Sequence, residues 1–324
     1  MGAGLDEVWD AIVAGTPPPV REIAGPAGRK PHKAAAVPPK LVDQVARNPR
    51  LRRSSNISLF AVAAALAALR DAGIDPENPR RCAVIFTTCD GGVIYTRKFY
   101  DQVVREGSGS PLLFPETVYN APCSHIAAVL GMDGITYTLV GDASVGLAGI
   151  ELGAQLLASG QADHCVVAGA EEADWILCEA YRQWRLVALV ADGAAAIVLS
   201  REGLYRIQAV SGGVPFFRQS EAGDSLAGAL GQLPREIQPC KVISCANGTF
   251  VDQAERAAIE DAYGPDVPII RPKVSLGDPF GASALMQIIC AIRSLSRELA
   301  GSVLVPVIGL NQQAAAALVS REHA

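Results

Sequence analysis

The chain has 324 residues, half of them hydrophobic, and carries 28 Lys and Arg against 33 Asp and Glu, for a net charge of −5. That length can bury one large core or two fused ones; the lack of a basic excess argues against general nucleic-acid binding, and no run reaches the roughly 18 to 20 apolar residues of a membrane span. The start, MGAGLDEVWD, has neither the basic nor the apolar stretch of a secretion signal, so a cytoplasmic protein is expected. Cys82, Cys89, Cys123, Cys165, Cys178, Cys240, Cys245 and Cys290 are scattered, with no C-x-x-C pair and only four histidines in the chain. Neither a disulfide framework nor a zinc site is indicated, and no metal or other cofactor is expected.

Residues 16–40, TPPPVREIAGPAGRKPHKAAAVPPK, are too rich in Pro and Gly for a regular helix and read as a surface excursion or lid. Arg47, Arg50, Arg52 and Arg53 follow in ARNPRLRRS, a solvated face or a place to meet an acidic partner. Then NISLFAVAAALAALRDAGI, RCAVIFTT, SVGLAGIELGAQLLASG, ADHCVVAGA and GAAAIVLS alternate Ala- and Leu-rich stretches with β-branched runs. Such alternation predicts an α/β protein with largely parallel, buried strands. SGSPLLFPETVYNAPCSH, residues 108–125, interrupts it and suits a loop over a pocket or a subunit contact. After about residue 200 the order repeats: KVISCA, the helical VDQAERAAIEDAYG, VPIIRP, the helical GASALMQIICAIRSLSREL, and SVLVPVIGL. Two similar α/β units in tandem are expected, 1–200 and 201–324.

SVGLAGIELGAQLLASGQADHCVVAGAEE is the most informative stretch. Asp142 or Ser144 can cap a helix that starts near Val145, small residues at Gly146, Ala148, Gly149 and Gly153 permit close packing, and Gly160 ends it. This stretch resembles the nucleophile helix and following strand of the β-ketoacyl synthases. LDEVWDAIVAG, VADGAAAIVLS, ISCANGTFVDQAE, KVSLGDPFGASA and VIGLNQQAAAALVS resemble further stations of that family in the right order, so nearly the whole chain is covered. The resemblance implies the thiolase-like αβαβα five-layer sandwich of two pseudo-symmetric halves. It also implies a strand before LDEVWDAIVAG, so either the true start lies upstream of Met1 or that strand is absent, and a missing strand would expose a sheet edge that needs cover from elsewhere.

The resemblance also assigns chemistry position by position. Where the family places a cysteine at a helix N-terminus, this chain has Ala143; where it places two histidines, this chain has Asn247 and Asp278. The lysine of the second histidine loop stands as Lys273, and the glycine-rich gate reads Gly309, Leu310, Asn311 and Gln312. A methyl group cannot hold an acyl chain, and an ionised Asp278 would oppose the negative charge of an enolate. With Lys273 close in sequence, Asp278 is expected to form an internal ion pair instead. Ser144 is the alternative nucleophile, although its plainer role is at the helix start, and Cys123 with His125 offers a weaker thiol–base pair.

The function so implied is that of a ketosynthase-like subunit without condensing chemistry, similar to the chain-length factors that pair with an active ketosynthase in polyketide, aryl-polyene or fatty-acid-like biosynthesis. Its partners would be that ketosynthase in a heterodimer, or a second copy in a homodimer, and an acyl carrier protein with its phosphopantetheine arm. Two alternatives stand beside it: an acyltransferase or thioester hydrolase using Ser144 or direct transfer, and a binding protein for acyl-pantetheine ligands.

Overall fold

Residues 5–75, 81–298, 301–310 and 313–321 are described by the structure, a computed structural model. The first series of elements is α1 (Leu5–Val13), β1 (Val20–Ile23), β2 (His32–Ala35), α2 (Asp43–Ala46), α3 (Asn56–Asp71), β3 (Cys82–Thr88), α4 (Val93–Glu106), α5 (Ala121–Leu130), β4 (Thr136–Val140), α6 (Val145–Ala158), β5 (His164–Glu171), α7 (Trp175–Gln183) and β6 (Gly193–Leu199). The second is β7 (Tyr205–Val210), β8 (Val214–Pro215), α8 (Ala222–Leu230), β9 (Lys241–Ile243), α9 (Phe250–Tyr263), β10 (Ile269–Ile270), α10 (Lys273–Leu276), α11 (Ser283–Glu298), β11 (Ser302–Ile308) and β12 (Gln313–Arg321).

Strand geometry sets the layers, because successive side chains point to opposite faces. On β3, Ala83 and Ile85 join a central cluster with Leu147 of α6 and Leu285 of α11, while Val84 and Phe86 join an outer cluster with Ile57, Ala61 and Ile126 of α3 and α5. On β11 and β12, Val303, Val305, Ala315 and Ala317 enter the same central cluster, and Leu304, Ala316 and Leu318 face α8 and α9. β3, β11 and β12 are therefore apolar on both sides, and helices cover both sides. The result is the expected helix–sheet–helix–sheet–helix stack.

The first sheet has the order β4-β3-β5-β6 and the second β10-β9-β11-β12-β7, with β8 beside β12. The two follow one plan, but the parallel character expected from the sequence is incomplete: β5–β6, β11–β12 and β12–β7 are antiparallel. β11 and β12 adjoin with no crossover helix between them, and a short return can only give antiparallel strands. The outer edge of β12 is covered by β7, whereas the equivalent edge of β6 pairs with no described strand.

Within the surface excursion expected at residues 16–40, residues 20–35 form a hairpin, β1–β2. It is fastened to α7 and its surroundings: Arg21 Nε lies 2.7 Å from Asp192, Trp175 Nε1 donates to Lys30 O at 2.9 Å, and His32 Nε2 lies 2.8 Å from Glu179. Helix α6 is half-buried, not enclosed all round, with Ala148, Glu151, Gln155 and Ala158 exposed along one stripe. On its other side a Cβ at Gly146 would sit 3.0 Å from the Ala284 methyl of α11, so glycine there lets the two central helices approach.

Candidate functional site

The turn from β4 into α6 is anchored by Gly141 N, which donates to Thr88 O at 3.0 Å. Ala143 follows, 2 % exposed, and presents only a methyl group at the head of the helix. Asp142 Oδ1 accepts both Ser144 N (3.0 Å) and Ser144 Oγ (2.7 Å), so the Ser144 hydroxyl is spent within its own turn. Asp142 also lies against Gly309 where any Cβ would collide with its carboxylate, which fixes glycine at that position. Leu310 packs beside the cluster formed by Ile23, Tyr181, Val190 and Phe280. Asn311 and Gln312 lie outside the described residues.

Two thiols come into question near this turn. Cys89 follows β3, but burial pushes its pKa far up and the nearby carboxylates of Asp90, Glu171 and Asp142 push it further, so the sulfur keeps its proton. Cys123 and His125 stand on a helix and not on an extended segment; two residues apart on a helix is about 200° around the axis. Cys123 Sγ lies 3.3 Å from Tyr137 O, and His125 Nε2 lies 2.6 Å from Glu116 Oε1. They do not form a pair.

Asn247 and Asp278 do meet. Asp278 Oδ2 lies 2.9 Å from Lys273 Nζ and 3.1 Å from Asn247 Nδ2, while Oδ1 accepts Ser283 Oγ at 2.7 Å and Phe280 N at 3.3 Å. Burial alone would raise the carboxyl pKa, but the Lys273 charge and these hydrogen bonds outweigh it and hold the group below its usual value. The ionised form is therefore the resident one. The second amide hydrogen of Asn247 goes to Leu186 O at 3.1 Å, and its Oδ1 accepts Thr249 Oγ1 at 2.6 Å. Neither Asn247 N–H is left for a substrate oxygen. A surface groove of about 420 Å³, lined by Arg182, Arg185, Val187, Ala188, Gly248 and Thr249, opens beside this network.

A third constellation carries acids that the sequence reading passed over. Glu171 ends β5 fully enclosed and accepts from Cys89 N, Asp90 N (3.2 Å), Thr88 Oγ1 (3.1 Å) and Gly281 N (3.2 Å). Glu172 accepts Ile57 N at the start of α3 (3.3 Å) and Ile94 N at the start of α4 (3.0 Å), where the helix dipoles favour negative charge. Asp90 receives the Tyr181 hydroxyl at 2.8 Å. Burial pushes Asp90 up to about 6 and Glu172 up to about 7, and pushes Glu171 well above the carboxylate range. Two glutamates in succession directly after an apolar strand were the available signal.

Beyond the buried groups, large apolar side chains are exposed on α4, on the loop after it and on β4. Tyr100 (62 % exposed) and Val104 (83 %) on α4, Leu112 (63 %) and Phe114 (55 %) on the loop after it, and Tyr137 (43 %) and Val140 (52 %) on β4 are all open. The outer edge of β4 pairs with no described strand. Among the described residues no helix is long and apolar enough to cross a membrane, and no group of His, Cys, Asp and Glu is disposed to hold a metal.

Comparison with known proteins places this arrangement. A Streptomyces halstedii protein that carries the name polyketide beta-ketoacyl synthase 2 is 27 % identical over 347 residues, covering 92 % of this chain and 83 % of its own length. The ishigamide ketosynthase/chain length factor superimposes with a TM-score of 0.81 at 18 % identity, covering 99 % of this chain and 96 % of the other. The complex of the ketosynthase ApeO with its chain length factor ApeC from Xenorhabdus doucetiae gives 0.78 at 17 % identity, with 99 % and 95 % covered. These two likenesses are of fold. The sequence profile of the "Beta-ketoacyl synthase, N-terminal domain" matches residues 21–203, more than half the chain, and the protein belongs to the β-ketoacyl synthase family.

Proposed function

We propose that this chain is a non-condensing ketosynthase-like subunit that pairs with an active, cysteine-bearing ketosynthase and presents part of the surface on which an acyl carrier protein docks. The observation that carries this reading is the closed network around Asp278. Condensation needs a thiolate to hold the growing chain and neutral donors to stabilise an enolate as carbon dioxide leaves. Here the head of α6 carries the Ala143 methyl, both Asn247 N–H groups are committed, and a buried carboxylate held ionised by Lys273 occupies the other position. Such an arrangement is stable and repels the anion that the reaction would generate.

The exposed aromatic and aliphatic residues and the β4 edge that pairs with no described strand support a partner subunit, since such groups are what an interface buries. The exposed Arg47, Arg50, Arg52 and Arg53, none in an ion pair among the described residues, support an acidic second partner on a chain whose net charge is −5. The solved ketosynthase–chain length factor assembly that shares this fold is the precedent for the pairing.

The test is co-expression with a cysteine-bearing ketosynthase from the same organism. Co-elution as a complex at a one-to-one ratio is expected; a stable homodimer that ignores the ketosynthase would overturn the reading. Incubation of the purified chain with acyl carrier protein thioesters, followed by intact-mass analysis, is expected to show no covalent adduct. An adduct abolished by Ser144→Ala would establish an acyltransferase instead.

A further inference from the structure

The turn that bears the four arginines runs from the end of α2 to the start of α3 and is rigid at its base, where Leu51 is buried and Ser54 Oγ donates to Leu51 O at 2.9 Å. Its far end is tied down twice. Tyr95 of α4 donates its hydroxyl to Arg53 O at 3.0 Å and lies 3.4 Å from Ser54 O. Glu116, from the loop between α4 and α5, accepts Ser55 N at 2.8 Å, Ser55 Oγ at 3.0 Å and Ser58 Oγ at 3.2 Å, and is itself held by His125. Glu116 is only 6 % exposed, and the hydrogen bonds from His125 and Ser55 outweigh the effect of its burial and keep it ionised.

These tethers start from the same two segments that carry exposed apolar side chains: α4 holds Tyr100 and Val104, and the loop holds Leu112, Phe114, Val118 and Tyr119. Tyr95 and Glu116 therefore link those two segments directly to the backbone of Arg53 and Ser55. Long arginine side chains lose much of their rotamer freedom on binding, so a fixed backbone reduces what remains to be ordered.

We propose that Tyr95 and Glu116 are positioning residues that couple the two docking events: a subunit seated on those exposed apolar side chains tightens the hold of the arginine turn on an acidic carrier protein. The inference rests on the partner reading above. By linkage the carrier then tightens the subunit contact by the same factor, about fivefold at the low end of such couplings.

The experiment is a titration of a phosphopantetheinylated acyl carrier protein, by calorimetry at fixed low salt, into the free chain and into the chain already complexed with its ketosynthase. Affinity is expected to be about fivefold higher in the complex. With Tyr95→Phe, which removes one hydroxyl, the ratio should fall towards one while the complex still forms; Glu116→Gln, which keeps an acceptor for Ser55, should lower it less. Arg50→Glu with Arg53→Glu should weaken the carrier in both settings and leave ketosynthase affinity in place. Equal affinities in free and complexed chain, or a ratio that survives Tyr95→Phe, would overturn the coupling alone. Failure to form any complex would overturn both the coupling and the subunit reading.

Discussion

At the end of β5 the carboxyls of Asp90, Glu171 and Glu172 are buried with backbone N–H groups, one hydroxyl and one phenol as partners, whereas in the second half Asp278 is buried against the ammonium of Lys273. The pKa shifts follow that difference. Asp90 and Glu172 are pushed up because no cation compensates their loss of water; Asp278 is held down because one does. The first half thus keeps its acids at the edge of protonation, next to the segments that lead into α3 and α4. In the second half Asp278 makes a closed ionic contact with Lys273, and its backbone joins Leu189 and Ala191 in one short ladder. One region stores charge at a cost to stability; the other neutralises it.

The sharpest way to break this contrast is Lys273→Met, which leaves Asp278 charged and alone. A loss of about 3–5 kcal/mol is expected from urea unfolding, the usual result of removing one partner of a buried pair. A loss below about 1 kcal/mol would mean that Asp278 had simply taken up a proton. Next comes Asp90→Asn, for which the sign is opposite. A carboxyl raised from 3.8 to about 6 binds its proton more tightly folded than unfolded, so its contribution is complete below the lower value and is lost as pH rises through the upper one. The variant should match wild type near pH 4 and gain up to about 3 kcal/mol over it above pH 6. A flat difference across that range would show that Asp90 is not the titrating group. The smallest effect belongs to Ser144→Ala, where loss of the hydroxyl's bond to Asp142 should cost about 1 kcal/mol of stability and nothing else.

The α/β class was legible because it depends on local periodicity, whereas the five-layer stack was an expectation carried by the family resemblance. Within RCAVIFTT and ADHCVVAGA the runs CAVIF and CVVAGA are apolar without alternation, and only a strand covered on both faces makes use of that. The positions Ala143, Asn247 and Asp278 were reached by counting along motifs, and the structure brings the last two within hydrogen-bond distance. NAPCSH was misjudged because Pro122 suggested a loop, although proline is at home in the first turn of a helix and sits there in α5. The environment of Glu171 was out of reach for a different reason: its donors Cys89 and Gly281 stand 82 and 110 residues away, and no local pattern announces that they converge.

Among the described residues the first sheet has no counterpart of β7, and its last strand, β6, reads GAAAIVL, seven residues without a charge, a proline or a bulge. Natural sheets protect such margins with lysines, kinks or cover. An edge of this kind is a template for stacking one molecule on the next in a concentrated solution, and turbidity of the isolated chain ought to climb with protein concentration.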